Sequence, residues 1–145
     1  MPDLVGTWEL VSWRRIVNDE MVTYPLGEHA RGRLVYAPDG AMAVTMIASD
    51  RPSMPDNDPL GGETGKRAEA YSTCLAYIGT YELRDDEVVH RIDVSLYPNW
   101  AGDEQVRPFT YTGDTLVLRT PPVSGASGTV VNELAWARQA RSERD

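Results

Sequence analysis

The stretch RGRLVYAPDGAMAVTMI (31–47) decides the fold class. Leu34 and Tyr36, then Met42, Val44 and Met46, recur with period two, the rhythm of strands with one covered face. Pro38-Asp39-Gly40 lies between the two runs and supplies a hairpin turn. The same grammar continues in both directions. Asn18-Asp19-Glu20, Asp85-Asp86-Glu87 and Gly113-Asp114 interrupt further short runs rich in β-branched and aromatic residues, at 6–17, 21–24, 77–84, 88–97, 104–112, 115–120 and 129–138. Short strands joined by tight turns make an antiparallel meander, and closing it into a barrel removes the exposed edges. The chain is therefore expected to be all-β: a single antiparallel barrel of eight to nine strands with one short inserted helix.

Two stretches depart from the meander. Residues 48–63 (ASDRPSMPDNDPLGGE) hold three prolines and a Gly-Gly, too many breakers for strand or helix. Residues 64–75 (TGKRAEAYSTCL) read as the helix, with Thr64 as N-cap and Ala68, Tyr71, Cys74 and Leu75 on one side. Loop and helix together either cover one mouth of the barrel or form a plain surface connection. Gly6-Thr7-Trp8-Glu9-Leu10 echoes in Gly79-Thr80-Tyr81-Glu82-Leu83, which reads as two strands entering the core alike rather than as a duplication. The barrel domain is expected to span 1–138, followed by a charged tail, 139–145.

Composition narrows the partners. A 145-residue chain is the size of one domain, and 14 basic against 22 acidic residues give a formal charge of −8. Such a chain repels phosphate backbones and anionic headgroups, so neither nucleic acid nor a membrane is an expected partner. A lone cysteine, Cys74, and two histidines, His29 and His90, do not make a structural metal site. The first residues have neither the basic nor the apolar region of a signal peptide, and no apolar run has the length of a membrane span. A cytoplasmic location is expected.

Gly6-Thr7-Trp8 resembles the G-x-W motif of lipocalins, in which the tryptophan plugs the closed end of the barrel beneath a basic residue from the last strand. Arg138, in Trp136-Ala137-Arg138, would be that residue here. The chain as a whole resembles the bacterial and fungal lipocalin-like domain family. The matching stretches are LVGTWELVSW (4–13), PLGEHARGRLVYAPDGAMAV (25–44), AYIGTYEL (76–83) and HRIDVSLYPNWAGDEQVR (90–107), with the closing GDTLVL and LAWAR. It lacks the cysteine pair of secreted lipocalins. The resemblance implies a barrel around a small-molecule cavity, and some barrels of this size serve as cyclases or isomerases.

Strand alternation sorts the side chains, because alternate positions of a barrel face inward. An inward Trp8 carries Leu10, Ser12 and Arg14 with it and turns Val11 and Trp13 outward. Tyr77, Gly79, Tyr81 and Leu83 share a face, as do His90, Ile92, Val94 and Leu96, while Val89, Arg91, Asp93, Ser95 and Tyr97 suit solvent. Arg107, Phe109 and Tyr111 go together, and so do Asn132, Leu134, Trp136 and Arg138. The expected ligand-binding residues are Ser12, Arg14, Tyr36, Met46, Tyr77, Trp100, Phe109, Tyr111, Asn132 and Trp136. Apolar walls with a few orienting donors suit a ligand pocket; the competing arrangement is a filled core. Trp100, in Tyr97-Pro98-Asn99-Trp100, is either a lid or the plug of a structural corner.

His90 is the only histidine on a strand. With Tyr81 and Arg107 it could act as base, acid and oxyanion partner of a cofactor-independent isomerase or cyclase. Alternatively it is an imidazole satisfied by a neighbouring tyrosine. The carboxylates sit in turns, and no G-x-S-x-G, P-loop or dinucleotide fingerprint is present, so no cofactor is expected. The leading expectation is binding of a small, largely apolar metabolite with an acidic or carbonyl group, with catalysis as the alternative. An outward Trp13 beside Val11 would want cover, which motivates a homodimer.

Overall fold

The computed structural model describes residues 2–126 and 128–140. Eight antiparallel strands close into a barrel: β1 (Gly6–Val17), β3 (Arg31–Tyr36), β4 (Ala41–Ile47), β5 (Cys74–Arg84), β6 (Glu87–Ser95), β7 (Glu104–Tyr111), β8 (Thr115–Arg119) and β10 (Gly128–Arg138). Pairing of β1 with both β3 and β10 makes the closure. Two short strands, β2 (Met21–Thr23) and β9 (Val123–Gly125), extend β1 and β10 as hairpins, and one helix, α1 (Thr64–Ser72), joins β4 to β5.

The turns sit where the chemistry demands. Asn18 and Asp19 both adopt positive φ (53° and 60°), a hairpin geometry in which Asn and Asp are the tolerated side chains. At the next hairpin Asp39 Oδ1 accepts a hydrogen bond from the Ala41 N–H at 3.0 Å. The decisive stretch pairs as read, with Leu34 opposite Val44 and Tyr36 opposite Met42, all four buried.

One end of the barrel is filled. Trp8 is 0% exposed and donates its indole N–H to the Leu4 carbonyl at 3.0 Å. The Arg138 guanidinium lies 4.3 Å from the Trp8 ring centroid and donates to the carbonyls of Asp3, Val5 and Gly113. Phe109 is buried in the same core, and Tyr111 meets Trp8 edge-on at 6.5 Å. The plug beneath a basic residue, which the motif resemblance implied, is thus formed by Trp8 and Arg138.

Two bulges correct the expected faces. In β1, Leu10 opposes Trp136 and Ser12 opposes Ala135, so Val11 is the extra residue. Beyond it every side chain changes sides. Trp13 therefore turns into the barrel, packed against the core, and Arg14 turns out to pair with Glu133 at 3.0 Å. In β6, Ile78 opposes Val94 while Gly79 opposes Ile92, which leaves Asp93 extra. His90 and Ile92 stay inside, whereas Val94 is 61% exposed and Leu96 is exposed as well. Val89, expected toward solvent, is buried. Gly79 permits the second bulge, because a Cβ there would fall on the Arg91 carbonyl oxygen.

The helix is shorter than expected. It ends at Ser72, so Cys74 and Leu75 belong to β5, its N-cap is Glu63 rather than Thr64, and none of its residues is buried. Arg51 ties the preceding loop to it through Thr73 Oγ1 and the Ala70 carbonyl, both at 3.0 Å. Of the expected tail, residues 141–145 lie outside the described residues, while the Gln139 N–H still donates to the Thr7 carbonyl at 2.8 Å.

Candidate functional site

The other half of the barrel is hollow. Its cavity measures about 740 Å³. Leu34, Val44, Met46, Leu118, Leu134 and Trp136, contributed by four different strands, give it apolar walls. It reaches the end of the barrel where Tyr97, Trp100, Pro121 and Val123 form the rim. The filled core and the pocket, rival arrangements in the sequence, coexist at opposite ends.

His90 is 1% exposed, and both of its ring nitrogens are engaged. The Tyr36 hydroxyl lies 2.6 Å from Nε2 and the Tyr77 hydroxyl 2.7 Å from Nδ1. Burial, reinforced by the charge of Arg107, lowers the imidazole pKa to about 3, so the ring is neutral. Burial likewise pushes the Tyr77 hydroxyl up to about 12 and raises that of Tyr36 well above its ordinary value. No ring nitrogen is left free to take a substrate proton, and so acidic an imidazolium implies a weak base.

The charged wall has one sign. Arg107 and Arg15 line the cavity, and among the described residues no carboxylate does. Arg107 donates to Gln105 Oε1 and to the Val106 carbonyl, both at 3.1 Å, and makes no ion pair among the described residues. Burial pulls its pKa down from the ordinary value, the signature of a guanidinium short of solvent. The Trp13 indole N–H donates to Asn132 Oδ1 at 2.9 Å, which fixes the amide orientation at the wall.

Of the residues expected to form the site, His90, Arg107, Met46, Tyr77, Trp100, Asn132 and Trp136 line the cavity. Tyr36 lies behind His90, fully buried. Ser12 and Arg14 are displaced from the wall by the β1 bulge, Tyr111 packs against Trp8 at the filled end, and Phe109 is buried in the core without lining the cavity. Tyr81 opposes His90 in the β5–β6 ladder but does not hydrogen-bond the imidazole; its ring lies 4.5 Å from that of Tyr36 and its hydroxyl donates instead to the Ala37 carbonyl at 2.8 Å. The turn at Pro98–Trp100 is a built corner, and the Trp100 ring packs edge-on against Tyr77 and Tyr97 at the cavity rim.

Several wall residues were missed. Trp13 and Arg15 enter the wall only through a bulge that no glycine announces, Tyr97 was placed toward solvent, and Gln105, one alternation before Arg107, was not singled out. No residue of 48–72 lines the cavity, so the loop and helix do not cover it in this structure. Since the barrel itself covers Trp13, the motive for a homodimer drawn from that residue falls away.

An eight-stranded antiparallel barrel, plugged by a tryptophan at one end and hollow at the other, is the architecture of a small-molecule-binding β-barrel. The chain belongs to the lipocalin-like domain family, whose model matches residues 5–139. It is 33% identical over 81 residues to the 4'-hydroxy-3'-methoxypropiophenone carrier protein ppsC of Aspergillus oryzae, an alignment covering 48% of this chain and 73% of that protein. Two solved structures are similar in outline. An uncharacterized protein from Bacteroides eggerthii shares 13% identity with a TM-score of 0.47, over 94% of this chain and all of that one. A mutant of the fluorescent protein UnaG shares 14% identity with a TM-score of 0.39, over 93% and 95%. Family and fold fit small-molecule binding. Among the described residues no helix is long and apolar enough to cross a membrane.

Proposed function

We propose that the barrel binds one small, largely apolar molecule carrying a carbonyl or acidic group, as a carrier or sensor rather than as a catalyst. The observation that carries this reading is the wall itself: two arginines and no carboxylate among its described residues, in a chain of net charge −8. Arg107 has only neutral oxygen partners among the described residues, and a ligand carbonyl or carboxylate supplies a further acceptor for its remaining N–H groups while its apolar body fills the aliphatic and aromatic half of the pocket. The carrier relative supports the same class, since its name specifies an aryl ketone. The neutral, doubly hydrogen-bonded His90 favours binding over general base catalysis.

The test uses the protein's own fluorescence. Three of its four tryptophans, Trp13, Trp100 and Trp136, line the cavity, so occupancy should quench emission. Titration with 4'-hydroxy-3'-methoxypropiophenone and with the corresponding benzoate should give saturable quenching at one site per chain. Arg107→Met should weaken both about tenfold, the benzoate more, because a charge-assisted hydrogen bond is worth roughly 1.5–3 kcal/mol. Absence of saturation with either compound would overturn the reading, and an unchanged affinity in the variant would remove Arg107 from it.

A further inference from the structure

The polar groups of the cavity wall are ordered by direction. Asn132 Oδ1 already accepts from the Trp13 indole and Gln105 Oε1 from Arg107, so each amide oxygen has one of its two lone pairs engaged within the protein, while the amide N–H donors remain for a ligand. Thr120, also at the wall, has its hydroxyl oxygen engaged by the Asn132 backbone N–H. The Trp136 indole N–H is buried without a partner among the described residues. The remaining question is which way the Tyr36–His90–Tyr77 chain runs.

Its inner end answers that. Tyr36 is 1% exposed, and among the described residues His90 Nε2 is the sole partner of its hydroxyl. A tyrosine that accepted from Nε2–H would leave its own hydrogen buried with nothing to receive it, so Tyr36 donates. A neutral imidazole carries one N–H, which must then sit on Nδ1 and donate to the Tyr77 oxygen. Tyr77 receives rather than gives in this bond, and its hydrogen is left for another acceptor. His90 and Tyr77 both line the cavity, so the bond between them lies at its wall.

We propose that this chain is polarised outward, from Tyr36 through His90 to Tyr77, so that the Tyr77 hydroxyl offers its hydrogen to the cavity as the anchor for a ligand carbonyl or oxyanion oxygen. Tyr77 is then the contacting residue, and His90 and Tyr36 are positioning residues that hold its oxygen and fix the direction of its hydrogen. The inference rests on the reading of the barrel as a small-molecule binder and names the atom that selects the ligand. With Arg107 on the same cavity, the wall prefers oxygen acceptors and discriminates against ligands that can only donate.

Two measurements test it, one of which needs no ligand. Nitrogen NMR of the protein, whose only other histidine is His29, should find His90 Nδ1 protonated and Nε2 unprotonated. In Tyr36→Phe the tautomer should shift toward Nε2–H. The second measurement compares propiophenone with propylbenzene, which have the same outline with and without the carbonyl. The preference for the ketone should fall about fivefold or more in Tyr77→Phe, the worth of one neutral hydrogen bond. It should fall part of the way in Tyr36→Phe, a position that touches no ligand, and because the readout is the ratio of the two affinities, any change common to both ligands cancels. An Nε2–H tautomer in the unmodified protein, or an unchanged ketone preference in Tyr77→Phe, overturns the proposal while leaving the cavity reading standing. Failure of propylbenzene and propiophenone alike to bind the unmodified protein overturns the cavity reading, and this proposal with it.

Discussion

Replacing Trp8 by alanine should lower the unfolding free energy by about 3–5 kcal/mol, the range for removing a buried aromatic side chain and leaving a cavity behind. Three contributions coincide at this residue. Its ring is 0% exposed at the filled end, so burial of the whole indole is lost. Its N–H satisfies the Leu4 carbonyl, which holds the N-terminal segment across the barrel end. Its face carries the Arg138 guanidinium at 4.3 Å, and a cation over a tryptophan ring adds to area burial. Arg138 would keep its three carbonyl acceptors in the variant, so the end should loosen rather than come apart. Urea unfolding of the two proteins measures the difference. A shift in midpoint with little change in slope is expected, and a loss below about 1 kcal/mol would show that the plug contributes little to stability.

The fold was legible because its signals are local. Period-two alternation in 31–47, positive-φ residues at the turns and the Gly-Thr-Trp opening each act within a few residues, and each matches the structure. The cavity was legible only in part, because facing is a cumulative property. One inserted residue at Val11 reverses Ser12, Trp13, Arg14 and Arg15 together, and a second at Asp93 reverses Val94 and Leu96. In Arg14-Arg15 one guanidinium faces in and the other out whichever register holds, so composition could not expose the error. Tyr81 was chosen over Tyr36 beside His90 for a related reason. Tyr81 does oppose His90 in the sheet, but the residues that reach the imidazole come from β3 and from a diagonal position on β5. Which tyrosine meets a histidine inside a barrel depends on curvature, and a sequence carries no local record of curvature.

Acidification should destabilise this protein through His90. In the unfolded chain the imidazole has its ordinary pKa of 6.5, and in the fold the value falls to about 3. Between those two limits the unfolded state binds a proton that the folded state refuses, so stability rises with pH across this window. The contribution is complete above pH 6.5 and is lost progressively as the pH falls toward 3. At pH 4.5 the loss is roughly 3 kcal/mol, from two pH units at about 1.4 kcal/mol each. The structural reason is specific. A protonated ring donates from both nitrogens, so the Tyr36 hydroxyl would have to accept from Nε2–H and leave its own hydrogen without an acceptor among the described residues. Arg107, on the neighbouring strand β7 two residues from the position opposite His90, adds repulsion. Carboxylates elsewhere also respond to acid, so the comparison is with His90→Gln, which keeps one donor and one acceptor for the two tyrosines but does not titrate. Denaturant unfolding at pH 7 and pH 4.5 should show the unmodified protein losing roughly 3 kcal/mol more than the variant over that interval. Equal losses would mean that the imidazole takes its proton without leaving the core, and that the two tyrosines accommodate the charged ring.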